Sequence, residues 1–589
     1  MRAKFVTVPG RSQRAAALPN EEVAAAFEEM ADLLAINGDN RFRVRAYQRA
    51  AQIIRTLPRA LSEFSGVDEL DQLPGIGPDL AAKIGELLHT GKLRSLQQLR
   101  SRVPTGLRML LQLPGLGPVR VRALHTALGI EDKEDLRRAL VGGRLQRVRG
   151  FGPALQQSLR QALATAESAP KRWLWSVASQ YAEPLRAYLQ SIAGVTQVGV
   201  AGSYRRGRDT VGDLDLVVCA RGAIDLASAL RRYTDTDTLS AGGPTRCTAV
   251  LRNGMQVDVR LVAPESAGAA LYYFTGNREH SVRMRQRAQE RGLKLNEYGL
   301  FRGRRRIAGA TEQQILTELG LPWIDPELRE NRGEIEAAAR GALARLIELK
   351  DLEGDLHAHT NASDGRESIS KMVAAAQARN LHYMAITDHS RYLGVVHGLD
   401  AERLALQIDE IDALNQTLKD FVVLTGAEVD ILEDGRLALP DSTLRRLDVV
   451  VVAIHSHFGL AEVKQTTRIL RALERPCVSI LAHPTGRLLG EREPYAVSFD
   501  KILAAARARP CFLELNSQPT RLDMDDVHCK AAQEHGVLVS IASDAHSGAE
   551  LSDLAGGVRQ ARRGWLRAKD VLNARPLREV KALLDTTRI

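Results

Sequence analysis

Three aspartates in the middle of the chain have the type and spacing of a centre that reacts phosphate esters with the help of metal ions. Asp213 and Asp215 lie two positions apart in VGDLDLVV, and Asp258 follows in QVDVRLV. Because alternate residues of a strand point to the same side, Asp213 and Asp215 share one face of a predicted strand. Carboxylates on neighbouring strands suit two Mg²⁺ ions, which take oxygen ligands and bridge phosphates. The spacing therefore predicts a site for phosphoryl transfer.

The residues in front of this pair supply what a triphosphate would need. Gly202 and Ser203 form a predicted turn that offers a backbone N–H and a hydroxyl group, and Arg206 can neutralise phosphate charge. A surface strand with solvated acids is the alternative interpretation, and a single Asp-x-Asp pair would favour it. The Gly-Ser turn before the pair and the aspartate strand after it favour the metal site.

A second group of potential metal ligands lies in residues 351–589, at the ends of seven short apolar runs. Six of these runs finish on His357 and His359, Asp388 and His389, Glu428, His455, His483, and Asp544 and His546, while the remaining run ends on Asn516. Alternating strands and helices predict a parallel α/β structure, and a (β/α) barrel places its active site at the C-terminal rim of its strands. One buried histidine is usually structural, but six coincident strand ends indicate a metal site.

Charge is spread unevenly over the 589 residues, whose net charge is +10. Residues 351–589 hold 29 basic and 34 acidic residues and 11 of the 14 histidines, which leaves residues 1–350 with a net charge of +15. The basic part predicts a polyanionic partner, and the histidine-rich part predicts metal chemistry. Five scattered cysteines without a CxxC pair predict buried, reduced thiols in a cytosolic protein. The sequence has neither a secretory h-region nor an apolar run of bilayer length, so we expect no membrane partner.

An internal repeat occupies the basic part of the chain. LPGIGPDLAAKI (Leu73 to Ile84) is followed by LPGLGPVRVRAL (Leu113 to Leu124) and a weaker copy, VRGFGPALQQSL (Val148 to Leu159). Glycines permit a tight turn, and the N–H groups that open the next helix can face a phosphate. The repeat resembles the helix-hairpin-helix motif, which implies binding of the DNA backbone without sequence readout through Gly75, Gly77, Gly115 and Gly117. A lone Gly-x-Gly would more often be a plain turn between helices.

Residues of about 20–330 resemble a family X DNA polymerase of the beta type. The resemblance lies in GSYRRG, VGDLDL, VDVRL, YFTGN and LNEYGLFRG, in this order and spacing. It implies that Asp213, Asp215 and Asp258 bind two catalytic Mg²⁺ or Mn²⁺ ions, and that Asp258 helps to activate the primer 3′-hydroxyl. It also implies a dNTP site formed by Gly202, Ser203, Arg206, Tyr273, Phe274 and Gly276. Arg278 and Ser281 stand where the beta-type enzyme has an aspartate and an asparagine, so nucleotide discrimination is expected to differ.

The same family carries a 5′-deoxyribose phosphate lyase, in which a lysine attacks the sugar aldehyde to form a Schiff base. The aligned lysine is Lys83, but Asp71 and Asp79 replace two supporting lysines of the beta-type enzyme. A solvated lysine on a helix surface is the alternative, and the sequence leaves both interpretations open.

The histidine-rich part resembles a polymerase-and-histidinol-phosphatase (PHP) domain over about residues 352–575. The resemblance implies nine metal ligands, which are His357, His359, Asp364, His389, Glu428, His455, His483, Asp544 and His546. Two or three Mn²⁺ or Zn²⁺ ions suit this mixed set. Asp388 and His457 are predicted to orient ligands, whereas His382, His397, His528 and His535 have no such context.

These resemblances together imply a multidomain α/β protein of the bacterial PolX family, with a polymerase palm and a TIM-like (β/α)7 barrel. We predict an N-terminal tail (1–19), a lyase-like helical domain (20–92), a helix-hairpin-helix domain (93–170), a palm (171–262), a nucleotide-binding subdomain (263–332), a linker (333–351), a PHP domain (352–575) and a C-terminal tail (576–589).

The implied function is filling of short gaps in DNA repair, with 3′–5′ exonuclease or phosphoesterase action at the PHP site. Gapped or nicked DNA and dNTPs are the expected partners of a monomer in the bacterial cytoplasm, associated with the nucleoid. One alternative is a PHP site that hydrolyses pyrophosphate or small phosphate esters, and another is a scaffold that only binds DNA ends.

Overall fold

The computed structural model describes residues 20–588, apart from 58–60, 62–63, 65, 74, 101, 112, 114, 166–170, 223, 241–242 and 392–396. The chain divides into two compact units, Met1–Lys171 and Arg172–Ile589. The predicted N-terminal tail lies outside the described residues.

The described part of the first unit is helical. Its helices are α1 (Asn20–Asn37), α2 (Arg41–Thr56), α3 (Val67–Asp71), α4 (Pro78–Thr90), α5 (Arg94–Arg100), α6 (Thr105–Leu110), α7 (Pro118–Leu128), α8 (Lys133–Val141) and α9 (Pro153–Thr165). Asn40 and Asp132 begin α2 and α8, because their side chains accept hydrogen bonds from otherwise unpaired amides of the first turn. The apolar faces of these helices share one buried core, which holds the repeated hairpins in place.

The second unit opens with a mixed sheet that carries the three aspartates. Its elements are β1 (Trp173–Leu174), α10 (Trp175–Gln190), β2 (Val195–Val200), α11 (Gly202–Arg205), β3 (Thr210–Val211), β4 (Asp213–Ala220), α12 (Leu226–Arg232), β5 (Thr236–Ser240), β6 (Arg246–Leu251) and β7 (Gln256–Val262). The five strands β2-β4-β7-β6-β5 are neighbours in that order, and β1 pairs separately with β3. Strands β4 and β7 are parallel, in a register that sets Asp215 opposite Asp258.

Helices and a small antiparallel sheet follow. They are α13 (Ala267–Thr275), α14 (Arg278–Glu290), β8 (Lys294–Asn296), β9 (Gly299–Arg302), β10 (Arg305–Ala308), α15 (Glu312–Glu318) and α16 (Glu334–Ala339). In the charged connector that comes next, Leu346 packs in the core of these helices and Ile347 packs in the core of the barrel. The connector is therefore packed along part of its length.

A parallel barrel of strands and helices completes the second unit. Its elements are β11 (Gly354–Asp355), α17 (Ile369–Gln377), β12 (Tyr383–Ile386), α18 (Ala401–Asn415), β13 (Val422–Asp430), α19 (Asp441–Leu444), β14 (Val449–Ala453), α20 (Glu462–Leu473), β15 (Ile480–Leu481), α21 (Phe499–Ala508), β16 (Phe512–Asn516), α22 (Asp526–His535), β17 (Val539–Ala542), α23 (Leu554–Arg563) and α24 (Leu577–Thr586). The strands pair in sequence order from β11 to β17. Every residue of β14 is buried, as expected for a parallel strand covered on both faces.

The two ends of this sheet meet directly after β11 and β17. The His359 amide donates to the Ala545 carbonyl at 2.8 Å, and the Asp544 amide donates to the His357 carbonyl at 3.0 Å. These bonds nearly close the sheet, so the predicted seven-stranded barrel is confirmed. They also bring the first and last of the predicted metal ligands together.

Within the described part of the chain, every helix is too short or too polar to cross a bilayer. All five cysteines are buried and unpaired, as predicted for structural thiols.

Candidate functional site

The predicted carboxylate site lies where β4 and β7 run side by side. Asp215 faces Asp258 across the two strands, and Asp213 precedes Asp215 on the same strand face. Burial, Asp213 and Asp258, in that order, raise the pKa of Asp215 to about 7. Three oxygen-donor side chains that repel one another in a poorly solvated place fit a divalent cation.

Asp258 is the most enclosed member of this group and has polar neighbours on its own sheet. Thr248 donates its hydroxyl to the Asp258 carboxylate, and Gln256 Nε2 donates to it at 3.2 Å. Arg246 lies 3.5 Å away on the adjacent strand β6. These contacts fix the Asp258 carboxylate, so a metal or a substrate would meet an oriented ligand.

Gly202 and Ser203 begin the short helix α11, beside the same carboxylates. Gly202 has a φ of +62°, which side chains disfavour. A Cβ atom at Gly202 would lie 2.5 Å from the Asp215 Oδ2 atom. The turn therefore requires glycine both for its backbone conformation and for its close approach to Asp215.

Arg206 follows α11 and is largely buried, which lowers the pKa of its guanidinium. Its Nε atom donates to Glu330 Oε1 at 2.9 Å, and its Nη1 atom donates to the Thr275 carbonyl at 2.8 Å. Glu330 could not be predicted from the sequence, because nothing near it marks it as the partner of an arginine 124 positions away.

The remaining residues predicted for a nucleotide site lie at the end of α13 and the start of α14. The rings of Tyr273 and Phe274 meet edge to face with 5.2 Å between their centroids, and the Arg260 guanidinium lies 4.1 Å from the Phe274 ring centroid. Gly276 ends α13, where a Cβ atom would lie 2.8 Å from the His280 ring. Arg278 is exposed on the next turn, while Ser281 is half-buried.

The nine predicted PHP ligands meet at the C-terminal rim of the barrel. Ligand atoms lie within 4.8 Å of one another in three groups, which are His359, Asp364, His389 and His546; His357, His359 and Asp544; and His389, Glu428 and His455. His483 joins them, since its Nε2 atom lies 3.0 Å from Glu428 Oε1. The structure thus brings together all nine residues in a pattern that fits two or three ions.

Glu428 is the central anion of this cluster. His389 Nδ1 lies 2.8 Å and His455 Nε2 lies 3.2 Å from its carboxylate. Burial raises the pKa of Glu428, but His455, His389 and His357 outweigh burial and hold that pKa well below its usual value. The mixed imidazole and carboxylate donors suit Mn²⁺, Zn²⁺ or Fe.

Two buried carboxylates orient histidines in this cluster. Glu514 Oε2 lies 2.5 Å from His357 Nδ1, and Asp430 Oδ1 lies 2.9 Å from His455 Nδ1. Each leaves the Nε2 atom of its histidine for a metal, the usual carboxylate–histidine arrangement. The sequence offered one signal for Glu514, which is a charged residue inside the apolar strand CFLELN.

Of the two predicted orienting residues, Asp388 supports the loop between the ligands His359 and Asp364, whereas His457 lies beside a residue outside the ligand cluster. Asp388 accepts hydrogen bonds from the Thr360 amide at 2.8 Å and from Gln407 Nε2 at 2.6 Å, which shapes the loop after His359. His457 is 43% exposed and lies 3.9 Å from Glu433. His457 also has a φ of +58°, in the left-handed region.

We expect Glu514→Gln to weaken Mn²⁺ binding by about 10–100-fold, since a carboxylate that fixes a histidine ligand contributes that much. Titration of chelator-stripped protein against a fluorescent metal indicator measures this affinity. Glu462→Gln, on the exposed start of α20, is the control. Equal affinities of the two variants would show that Glu514 does not support the metal site.

The three repeats each form a hairpin in the first unit. Gly75, Gly115 and Gly150 have φ values of +86°, +75° and +93°. Gly77 and Gly117 then begin helices α4 and α7, each with proline at the first position. The amides of these helix starts are suited to phosphate oxygens.

Lys83 lies on α4 with its side chain 15% exposed and paired with Asp79. Its Nζ atom is 5.9 Å from the centre of the Tyr47 ring. Asp71, at the end of α3, and Asp79, on α4, are both exposed.

Comparison with known proteins adds five domain matches along the chain. They are a helix-hairpin-helix domain over residues 18–93, a SAM-like helix-hairpin-helix tandem over 107–165, a DNA polymerase beta palm over 177–237, a DNA polymerase beta thumb over 270–330 and a PHP domain over 355–518.

Whole-chain similarity extends across these domains. The chain is 38% identical to the DNA polymerase/3′-5′ exonuclease PolX of Bacillus subtilis, over 96% of this chain and 99% of that protein. It is 25% identical to DNA polymerase lambda of Arabidopsis thaliana, over 53% of this chain and 62% of that protein. It is 30% identical to a probable phosphatase of Syntrophotalea carbinolica, over 40% of this chain and 94% of that protein.

Proposed function

This chain belongs to the PolX family of DNA polymerases, and from that membership we propose that it fills short gaps in DNA and processes 3′ ends. The observation that carries the polymerase assignment is the register of β4 and β7, which sets Asp215 opposite Asp258 beside the Gly202 turn. Gapped or nicked DNA and dNTPs are the proposed substrates, and repair by base excision or end joining is the proposed role of a monomer.

In the polymerase reaction, Asp213, Asp215 and Asp258 would hold two Mg²⁺ or Mn²⁺ ions. The ions supply positive charge that offsets the negative charge developing on the transferred phosphate. Asp258, whose carboxylate accepts a hydrogen bond from Thr248, would accept the proton of the primer 3′-hydroxyl on a carboxylate oxygen. Ser203 and Arg206 would bind the dNTP phosphates, while Tyr273, Phe274 and Gly276 line the sugar and base.

In the PHP site, the nine ligands would hold two or three Mn²⁺ or Zn²⁺ ions. When bound, such ions would supply Lewis-acid charge that activates water and offsets the negative charge of the phosphate. Glu514 and Asp430 keep His357 and His455 oriented toward them. A DNA 3′ end is the favoured substrate, because the same chain carries three helix-hairpin-helix turns and a strongly basic first part.

DNA with a one-nucleotide gap tests both activities in one assay. With dNTPs and either Mg²⁺ or Mn²⁺ we expect extension by one nucleotide, and with Mn²⁺ but no dNTPs we expect resection from the 3′ end. A chain that binds the gap without metal-dependent extension would be a scaffold. Faster hydrolysis of pyrophosphate or p-nitrophenyl phosphate than of DNA would favour a small-ester phosphatase.

Gly202→Ala tests the turn beside Asp215. We expect gap filling to fall by about 100-fold, because a side chain at this φ displaces the turn from the carboxylate, and a shift of about 1 Å at a reacting centre has that effect. Single-turnover extension measures the change. Gly212→Ala is a matched control next to Asp213, since its Cβ atom would approach only Arg172, at 3.5 Å. Equal rates for the two variants would contradict the proposed role of the turn.

Lys83 is the proposed nucleophile of a weak lyase. We expect slow trapping of a DNA adduct by borohydride at a 5′-deoxyribose phosphate, since the Lys83 ammonium must leave Asp79 before its nitrogen can attack. Lys83→Ala should abolish the adduct, and Lys92→Ala, on an exposed loop, should not. An adduct that persists in Lys83→Ala would assign the lyase to another amine.

A further inference from the structure

Two of the three guanidinium nitrogens of Arg206 make hydrogen bonds within the protein, and the third is available to a ligand. Nε and Nη1 are engaged by Glu330 and by the Thr275 carbonyl, while Nη2 has no hydrogen bond to any residue in the described part of the chain. Because a guanidinium is planar, hydrogen bonds at two of its nitrogens fix the direction of the third. Such an arginine loses less conformational entropy when it binds a phosphate. The direction of Nη2 therefore depends on what holds Glu330.

Glu330 is held by a residue of the barrel. Arg563, on helix α23, lies with its Nη1 atom 3.1 Å from Glu330 Oε1. The same Nη1 atom donates to the backbone carbonyl of Arg206 at 2.8 Å. Asn277 Nδ2 donates to the other carboxylate oxygen, Glu330 Oε2, at 3.2 Å, and Arg208 lies 3.5 Å from Oε1. A side chain 357 residues away thus supports both the backbone and the side-chain partner of Arg206.

Arg563 is itself fixed and almost fully enclosed, with only 2% of its side chain exposed. Its Nη2 atom lies 2.5 Å from Asp526 Oδ2, at the start of α22. Burial raises the pKa of Glu330, but Arg206 and Arg563 outweigh burial and lower it to about 2. The network is therefore ionised on all sides, and each charge is paired inside the protein.

Helix α23 is fastened to the polymerase part at two further points. The Arg559 guanidinium lies 3.3 Å from the centre of the Trp175 ring, which stacks on Tyr204 at 4.7 Å. Arg562 Nε lies 2.6 Å from Glu327. Helix α23 therefore packs against the polymerase part of the same unit at Trp175 and Glu327 as well as at Glu330.

We propose that Arg563 of the PHP barrel is a positioning residue of the polymerase, which aims Arg206 at the dNTP triphosphate through Glu330. The inference rests on the proposed function of Arg206 as a phosphate ligand. It means that the barrel contributes to nucleotide binding as well as to hydrolysis. Without Arg563, Arg206 would keep its positive charge, but its guanidinium would no longer be held in one orientation.

Steady-state filling of a one-nucleotide gap tests this coupling with full-length variants. For Arg563→Met we expect the dNTP KM to rise about tenfold, since misdirection of a substrate-positioning group has effects of that order or larger. The kcat, the Kd for gapped DNA and the Mn²⁺-dependent 3′ resection should change by less than about twofold. Arg563→Lys keeps a cation opposite Glu330 and should recover part of the KM effect.

Arg578→Met is the control, because it removes an exposed arginine of the same barrel, on helix α24. It should leave the dNTP KM unchanged. An unchanged KM in Arg563→Met, or an equal loss of kcat, DNA binding and resection, would overturn the inference, since the latter indicates only a structural role. Absence of extension by the wild-type chain would instead overturn the proposed function on which the inference rests.

Discussion

Asp215→Asn will lower gap filling by about a thousandfold or more, because the amide removes a charged ligand from a site whose bound ions contribute several kcal/mol to the barrier. Extension of a one-nucleotide gap under single-turnover conditions measures this loss. In chelator, Asp215→Asn should be at least as heat-stable as the wild type. The substitution removes a buried negative charge that faces Asp213 and Asp258. Activity would then fall without any loss of stability.

Two comparisons make that result specific. Asp237→Asn, on the exposed face of β5 in the same sheet, should extend DNA like the wild type. Mn²⁺-dependent resection should persist in Asp215→Asn, because the PHP ligands come from other strands. Extension at a normal rate by Asp215→Asn would show that the carboxylates of β4 and β7 are not the polymerase centre.

Glu428→Gln will have the opposite pattern, with 3′ resection in Mn²⁺ reduced about a thousandfold and gap filling retained. The Glu428 carboxylate lies 2.8–3.2 Å from nitrogen atoms of His389, His455 and His483, so its replacement by a neutral amide removes the charged ligand that they share. Resection of 3′ ends on gapped DNA without dNTPs measures the effect, and elemental analysis measures the metal content.

Heat stability distinguishes Glu428→Gln from Asp215→Asn. Removing one partner of a buried charge network costs about 3–5 kcal/mol, so metal-free Glu428→Gln should melt below the wild type, unlike Asp215→Asn. His359→Ala is a second test that leaves Glu428 in place, since His359 belongs to two of the three ligand groups. Resection that survives in both variants would place the nuclease outside the barrel.

The two proposed metal centres differ in the types of ligand that they offer. The polymerase site uses three carboxylates on two interior strands of a mixed sheet, which suits weakly held ions that arrive with a triphosphate. The PHP site encloses imidazoles and carboxylates at a barrel rim, which suits ions that remain with the protein. Arg563 joins the two regions, since it belongs to the barrel but contacts the partner of Arg206.

Local regularities of the sequence were enough to predict which side chains lie together in both proposed centres. A strand alternates its side chains, so Asp213 and Asp215 had to share a face wherever the strand was placed. Parallel strands of a barrel end at one rim, so ligands separated by about 190 residues could be predicted to converge. Glycine at the repeated turns followed from backbone sterics alone, and Gly75 and Gly115 have the positive φ values that such turns require.

Tertiary structure alone decided which residues support those ligands. Asp388 and His457 lie beside ligands in the sequence but contact other partners, whereas Glu514 reaches His357 across 157 positions. Arg563 reaches Arg206 across 357 positions. The physical reason is that a supporting contact depends on how whole elements pack, because hydrogen bonds act over about 3 Å. No spacing along one strand or helix specifies which distant side chain will lie within that distance.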